Sequence, residues 1–198
     1  SLYPLMDKGN IPSSGTVVLG RRMSYSKNKA PENFILTAVN NANIFSCFQN
    51  NVDLVNFFMS LKKNFDMYKG KYQVIYNAQV DDLHYLCHLD EIVPANLQKM
   101  STKKTSMKDM IAMYKQILEK RQQTKDTSFP IIFVCIGWTS AVGFGIESDF
   151  KNVVEPLSTM LQTAGEFNIH WIFIGNVKNS TPLSIIKGCE YKICGKVD

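Results

Sequence analysis

Apolar residues recur along this chain in two registers. Short runs with little polar interruption predict strands at 34–37, 72–76, 131–136, 170–174 and 191–194, and a briefer β-prone stretch at 16–19. The run 131–136, Ile-Ile-Phe-Val-Cys-Ile, has no polar member and suits a central parallel strand buried on both faces. Longer segments space their apolar residues three and four apart. After a turn at 40–43, a helix is predicted to about residue 64, with Val52, Val55, Phe58 and Met59 on one face. Asp81 opens a short helix that ends before Pro94. Ser106 and Asp109 form a Ser-x-x-Asp helix start, followed by a core stripe of Met107, Met110, Ile111, Tyr114, Ile117 and Leu118. A further helix carries Phe150, Val153, Val154, Leu157 and Leu161, and Pro156 requires its first turn to lie close by. Strands alternating with helices predict βαβ units, an α/β class with a mostly parallel central sheet flanked by helices.

Composition narrows this without changing it. Residues 1–15 are rich in Pro, Gly, Ser and Asp without a period, so they are expected to be a linker remnant, with one domain over 16–198. The 198 residues, 45% of them hydrophobic, suffice for one buried core. No apolar run approaches the ~20 residues that span a bilayer, and no signal peptide is evident. The expectation is therefore no direct membrane insertion by this fragment. Lys and Arg outnumber Asp and Glu by 22 to 17, too thin an excess to imply nucleic acid. Five cysteines, Cys47, Cys87, Cys135, Cys189 and Cys194, lie among apolar neighbours and are expected to be reduced thiols rather than a disulfide framework.

In a doubly wound sheet, ligands bind beyond the carboxyl ends of the strands. With 34–37 as the first full strand, a phosphate loop of the form Gly-x-x-x-x-Gly-Lys-Ser/Thr would fall on Ala38, Val39, Asn40, Asn41, Ala42, Asn43, Ile44 and Phe45. The glycines that let a backbone wrap phosphates are missing, although Asn43 tolerates a left-handed conformation. Ile44 supplies no charge to the phosphates and Phe45 no hydroxyl to Mg²⁺. After the strand 131–136, where an ATPase places acids that hold the metal and orient water, stand Cys135, Ile136 and Gly137. Losing the lysine, the hydroxyl and both acids together removes the charge stabilisation on which phosphoryl transfer depends. ATP and Mg²⁺ are accordingly expected not to bind, or to bind only weakly, so no cofactor and no catalytic residue is assigned.

The stretch from Phe150 to Asn176 resembles the FtsK/SpoIIIE family of ring ATPases. Its helix leads to the short Ala164-Gly165 connection. The following Asn168-Ile169-His170-Trp171 strand ends in Gly175-Asn176, at the places of the family's Thr-Gln pair. In this comparison Asn176 is sensor-like, and the likeness extends over 31–194 in strand order. A domain with ruined nucleotide motifs looks most like the last, degenerate ATPase domain of the membrane-anchored type VII secretion coupling protein of firmicutes. The resemblance implies a RecA-like P-loop NTPase fold and a cytoplasmic position beside further ATPase domains. It also implies contact with secreted WxG-type substrates and leaves room for a hexameric ring in the parent protein. The family's catalytic residues do not carry over, because the matching positions lack them.

Two other constellations invite comparison. His84, Cys87 and His88 share a helical face but lack a fourth ligand of familiar spacing, and Cys189 and Cys194 lack a partner pair, so no metal site is expected. Gly143-Phe144-Gly145 follows the central strand on the ligand side, where Phe144 or Ile146 is a candidate for docking a partner's apolar side chain. His170 is expected to be a core residue. The functional expectation is a non-hydrolysing domain that recognises secretion substrates or regulates an adjacent motor. The alternative is a divergent active ATPase domain of a protein-secretion or DNA translocase, completed by a neighbouring domain.

Overall fold

Residues 131–136, apolar throughout, form a strand with every side chain buried, the environment of a parallel strand covered on both faces. The structure, a computed structural model, describes residues 2–3, 17–22, 32–67, 71–78, 81–91, 106–137, 154–176 and 183–194. In chain order the elements are β1 (Leu2–Tyr3), β2 (Val17–Arg22), β3 (Glu32–Leu36), β4 (Ile44–Phe48), α1 (Asn51–Met67), β5 (Gln73–Ala78) and α2 (Asp81–Leu86). They continue as α3 (Ser106–Thr124), β6 (Ile131–Ile136), α4 (Glu155–Ala164), β7 (Ile169–Asn176), α5 (Leu183–Lys187) and β8 (Tyr191–Cys194), with 3₁₀ turns at Leu89–Glu91 and Gly165–Phe167.

Five strands make a parallel sheet in the order β5-β6-β7-β4-β8. Side chains alternate between its faces. Val74, Tyr76, Ile132, Val134, Ile136, Ile172, Ile174 and Ile44 join α1 and α2 in one core. Ile75, Ile131, Phe133, Cys135, Trp171, Phe173 and Phe45 join α3 and α4 in the other. The second core is organised by aromatic stacking across β6 and β7. Phe133 stacks on Trp171 with centroids 5.0 Å apart, Trp171 on Phe173 at 5.3 Å, and Tyr114 of α3 meets Trp171 edge-on at 5.2 Å.

Two expectations fail at the start of this sheet. The run 34–37 is not its first strand: it belongs to β3, which pairs antiparallel with β2 in a separate three-stranded sheet, β1-β2-β3. That sheet lies against α1, and Leu19 and Leu36 contribute to the α1 core. The first strand of the parallel sheet is instead β4, a five-residue run the sequence pattern assigned to the beginning of a helix.

The phase of α1 shifts with it. Leu54, Phe57, Phe58, Leu61 and Phe65 are buried, whereas Val52 is 69% and Met59 39% exposed. Burying a large apolar side chain is worth about 1.5–3 kcal/mol. Five such residues outweigh a stripe containing two valines and a methionine. Pro156 does fall in the first turn of α4, as required.

Candidate functional site

The strand order locates the crevice. The chain leaves β4 through α1, on one face, to reach the far edge at β5, then returns through β6 and β7 with α3 and α4 on the other face. After β7 it steps over β4 to β8. Connections from the neighbours β4 and β7 thus diverge, and such a switch point is where open α/β sheets bind ligands, beyond the strands' carboxyl ends. Phe48 and Asn176 are register partners there, and Gly137 ends β6 beside them with its N–H on the Ile174 carbonyl at 2.7 Å.

The connection that a nucleotide needs at this place runs from β4 to α1, and it consists of Gln49 and Asn50 alone. A phosphate-wrapping loop requires several consecutive N–H groups turned toward one anion. Two residues cannot provide them. Asn50 caps α1: its Oδ1 accepts from Asp53 N–H at 2.9 Å, and its Nδ2 donates to Asp53 Oδ2 at 3.1 Å. The Asn50 carbonyl accepts from Leu54 N–H at 3.3 Å. The helix N-terminus, whose positive end would attract phosphate, is therefore served by the chain's own amide and faces its own carboxylate. The lysine and hydroxyl of a phosphate loop belong in this first turn, which here reads Asn51-Val52-Asp53-Leu54.

The positions assigned to the phosphate loop by sequence lie elsewhere. Ala38, Asn40, Asn41 and Asn43 precede β4, at the amino edge of the parallel sheet, opposite the crevice. Ile44 and Phe45 are the first two residues of β4, buried on opposite faces of the sheet. The correction has a simple cause: the strand feeding the crevice is one element later than the pattern suggested. Asn43 is a structural node. Its Nδ2 donates to the carbonyls of Leu161 at 3.0 Å and Gly188 at 2.9 Å, and its Oδ1 accepts from Trp171 N–H at 2.9 Å. The left-handed conformation falls on Asn41, with φ 57°, and not on Asn43.

The acidic-motif positions do sit at the carboxyl end of β6. Cys135 is buried in the α3/α4 core and Ile136 in the α1 core, so neither side chain reaches the crevice. Gly137, at φ 69°, takes a left-handed backbone conformation open to glycine. Burial pushes the Cys135 thiol far above its ordinary range. The sensor-like Asn176 is at the crevice, half-buried. Phe144 and Ile146 lie outside the described residues.

The crevice residues that the sequence pattern missed are Gln49, Asn50 and Asp53. A signal existed, since Asn50-x-x-Asp53 after an apolar run is a helix-start pattern.

The remaining candidates fall apart or stay structural. Cys87 is buried, its thiol pushed up to about 12 by desolvation. The next residue, His88, has φ 53° and is exposed, 3.6 Å from Glu91. The side chain of His84 is outside the described set. Among the described residues, no three His, Cys, Asp or Glu side chains are grouped to hold a metal ion, and no helix is long and apolar enough to cross a membrane. His170 is fully buried, with Nδ1 2.7 Å from the Ala42 carbonyl and Nε2 2.7 Å from Asn168 Oδ1. Burial pulls its pKa down to about 4.

No protein-family model matches the sequence, and no curated protein matches it. Solved structures do match by shape. A Thermomonospora curvata EccC comprising ATPases 2 and 3, in complex with a signal sequence peptide, superposes over 98% of this chain and 39% of its own at TM-score 0.62 and 11% identity. The cytoplasmic domain of the type VII secretion ATPase EccC of the same organism gives TM-score 0.66 at 12% identity, over 98% of this chain and 25% of its own. Geobacillus thermodenitrificans EssC (ATPases 2 and 3) gives 0.61 at 14%, over 98% and 39%. The chain thus spans only a quarter to two-fifths of those proteins. At these identities the likeness is one of fold: a five-stranded parallel sheet flanked by helices, matching the RecA-like ATPase domains of EccC and EssC.

Proposed function

We propose that this chain is a non-hydrolysing ATPase-like domain of a type VII secretion ATPase. On this reading it lies on the cytoplasmic side of a membrane-anchored parent beside further ATPase domains. There it recognises secreted WxG-type substrates or regulates the adjacent motor. One observation carries the loss of nucleotide chemistry: the β4–α1 connection is two residues long and ends in the Asn50 cap with Asp53 in the first turn of α1. A triphosphate would meet a carboxylate where it needs a lysine, and no backbone cradle. Cys135, Ile136 and Gly137 at the end of β6 supply no metal-binding acid, in keeping with this. Support for the wider setting comes from the neighbours in shape: two are chains of ATPases 2 and 3, and one of those is in complex with a signal sequence peptide.

Calorimetric titration with ATP and Mg²⁺ is the test. No saturable heat up to millimolar nucleotide is expected. Saturable micromolar binding would overturn the reading and favour a divergent motor domain completed by a neighbour. A parallel titration with a secreted WxG-type substrate addresses the partner, and absence of binding there, with the adjacent domains present, removes substrate recognition from the proposal.

A further inference from the structure

His170 is wholly buried in β7, and each of its two ring nitrogens faces an oxygen. Nδ1 lies 2.7 Å from the Ala42 carbonyl, in the connection between β3 and β4, and Nε2 lies 2.7 Å from Asn168 Oδ1. A backbone carbonyl can only accept. The Asn168 amide also presents its oxygen to the ring, because its Nδ2 donates to the Thr127 carbonyl at 2.9 Å. The imidazole therefore stands between two acceptors. Each contact becomes a hydrogen bond only when the nitrogen beside it carries a proton.

A neutral imidazole has one ring N–H and an imidazolium two. Burial keeps this ring neutral at pH 7 by pulling its pKa down to about 4. The charged group that acts on it is Arg121 of α3, whose guanidinium donates to the Asn168 backbone carbonyl at 3.3 Å and opposes a second positive charge. One proton thus faces two acceptors at equal distances, so the geometry singles out neither.

We propose that His170 is a two-state latch on the connection between the two sheets, its single ring proton holding either Ala42 or Asn168 and never both. The inference is independent of the proposed function. With the proton on Nδ1, the ring donates to the Ala42 carbonyl and fastens the turn before β4 to β7. With the proton on Nε2, the ring donates to Asn168 Oδ1, and the bare Nδ1 faces the Ala42 oxygen, which releases the turn. In passing from one state to the other, Nδ1 gives its proton to solvent and Nε2 takes one back, so the charge of the ring is unchanged. Asn43 stays fixed by its own three hydrogen bonds. The release therefore acts on the residues before it, the exposed stretch 37–40 that leads from β3 of the antiparallel sheet toward β4 of the parallel one.

The experiment is a long-range ¹H–¹⁵N NMR spectrum of the imidazole nitrogens in the ¹⁵N-labelled chain at pH 7.5, with the His170 signals assigned through the backbone. Both tautomers are expected, as two sets of ring signals or as shifts lying between those of a protonated and a bare nitrogen. A single tautomer overturns the latch, and so does a ring protonated on both nitrogens. Asn168→Gly suits the left-handed backbone at 168, where φ is 60°, and removes the second acceptor. In that variant the proton should move wholly to Nδ1, and exchange of the Ala42 N–H should slow relative to that of Trp171. An unchanged exchange ratio would refute the coupling to the turn. The wild-type spectrum needs no variant, so misfolding of Asn168→Gly does not obscure the answer.

Discussion

Replacing Asn43 by alanine should destabilise the domain severely and for a reason unrelated to nucleotide. The side chain is wholly buried and ties the turn before β4 to α4, β7 and the end of α5 by three hydrogen bonds, to the carbonyls of Leu161 and Gly188 and from the N–H of Trp171. Truncation strands a buried N–H at the amino end of β7, which costs about 1–3 kcal/mol. The two carbonyls each lose a bond worth about 0.5–1.5 kcal/mol. The sum is about 2–6 kcal/mol, set against a total stability of about 5–15 kcal/mol for a domain. Urea unfolding followed by far-UV circular dichroism measures it. With a slope of about 1–3 kcal/mol/M, a loss of about 4 kcal/mol lowers the midpoint by about 1.3 M or more. Asn40→Ala, three residues away and exposed, is the control and should stay within about 0.5 kcal/mol of wild type. If Asn43→Ala matched Asn40→Ala, the buried node would be refuted and both asparagines would again be residues of a loop.

Two further outcomes are expected. Gly165→Ala should lower the thermal midpoint: a Cβ there would lie 2.2 Å from the Val39 carbonyl oxygen and 3.0 Å from the Ala42 nitrogen, both backbone atoms. Helix propensity alone would favour alanine by up to about 1 kcal/mol, whereas forced displacement of packed groups costs about 1–3 kcal/mol, so an unchanged or higher midpoint would contradict the close approach. His170, with its folded pKa lowered to about 4 by burial, binds its proton more readily in the unfolded chain, near pH 6.5. Stability is therefore full above about pH 6.5 and falls as pH drops toward 4, by about 3 kcal/mol from this group. An NMR titration in which His170 protonates near pH 6.5 would overturn this.

Several elements were legible because local pattern and tertiary environment agree. Ile131–Ile136 is apolar at every position and is buried at every position. The α3 stripe of Met110, Ile111, Tyr114 and Leu118 is buried as its spacing predicts. Asn176 falls at the crevice because it closes an eight-residue strand that the pattern largely identified. β4 escaped notice because it is five residues long, contains Ser46 and Cys47, and follows an asparagine-rich turn. Ser46 is accommodated in the strand by donating to the Phe173 carbonyl at 2.8 Å, a partner 127 residues away. No local window contains that bond.

That omission displaced the phosphate-loop comparison by one element, from the residues before β4 to those after it. Neither Ala38–Phe45 nor the true connection at Gln49–Asn50 carries the lysine and hydroxyl that Mg²⁺-nucleotide requires. By itself, the order of apolar and polar residues determined an α/β domain with a central parallel strand and no intact phosphate motif, because side-chain periodicity and residue chemistry are local properties. Only the tertiary structure decided which strand feeds the crevice, that Asp53 guards its helix, and that Asn43 is a buried node. Each depends on strand order, and strand order is set by contacts between segments far apart in the chain, where burial and hydrogen bonding outweigh local preference.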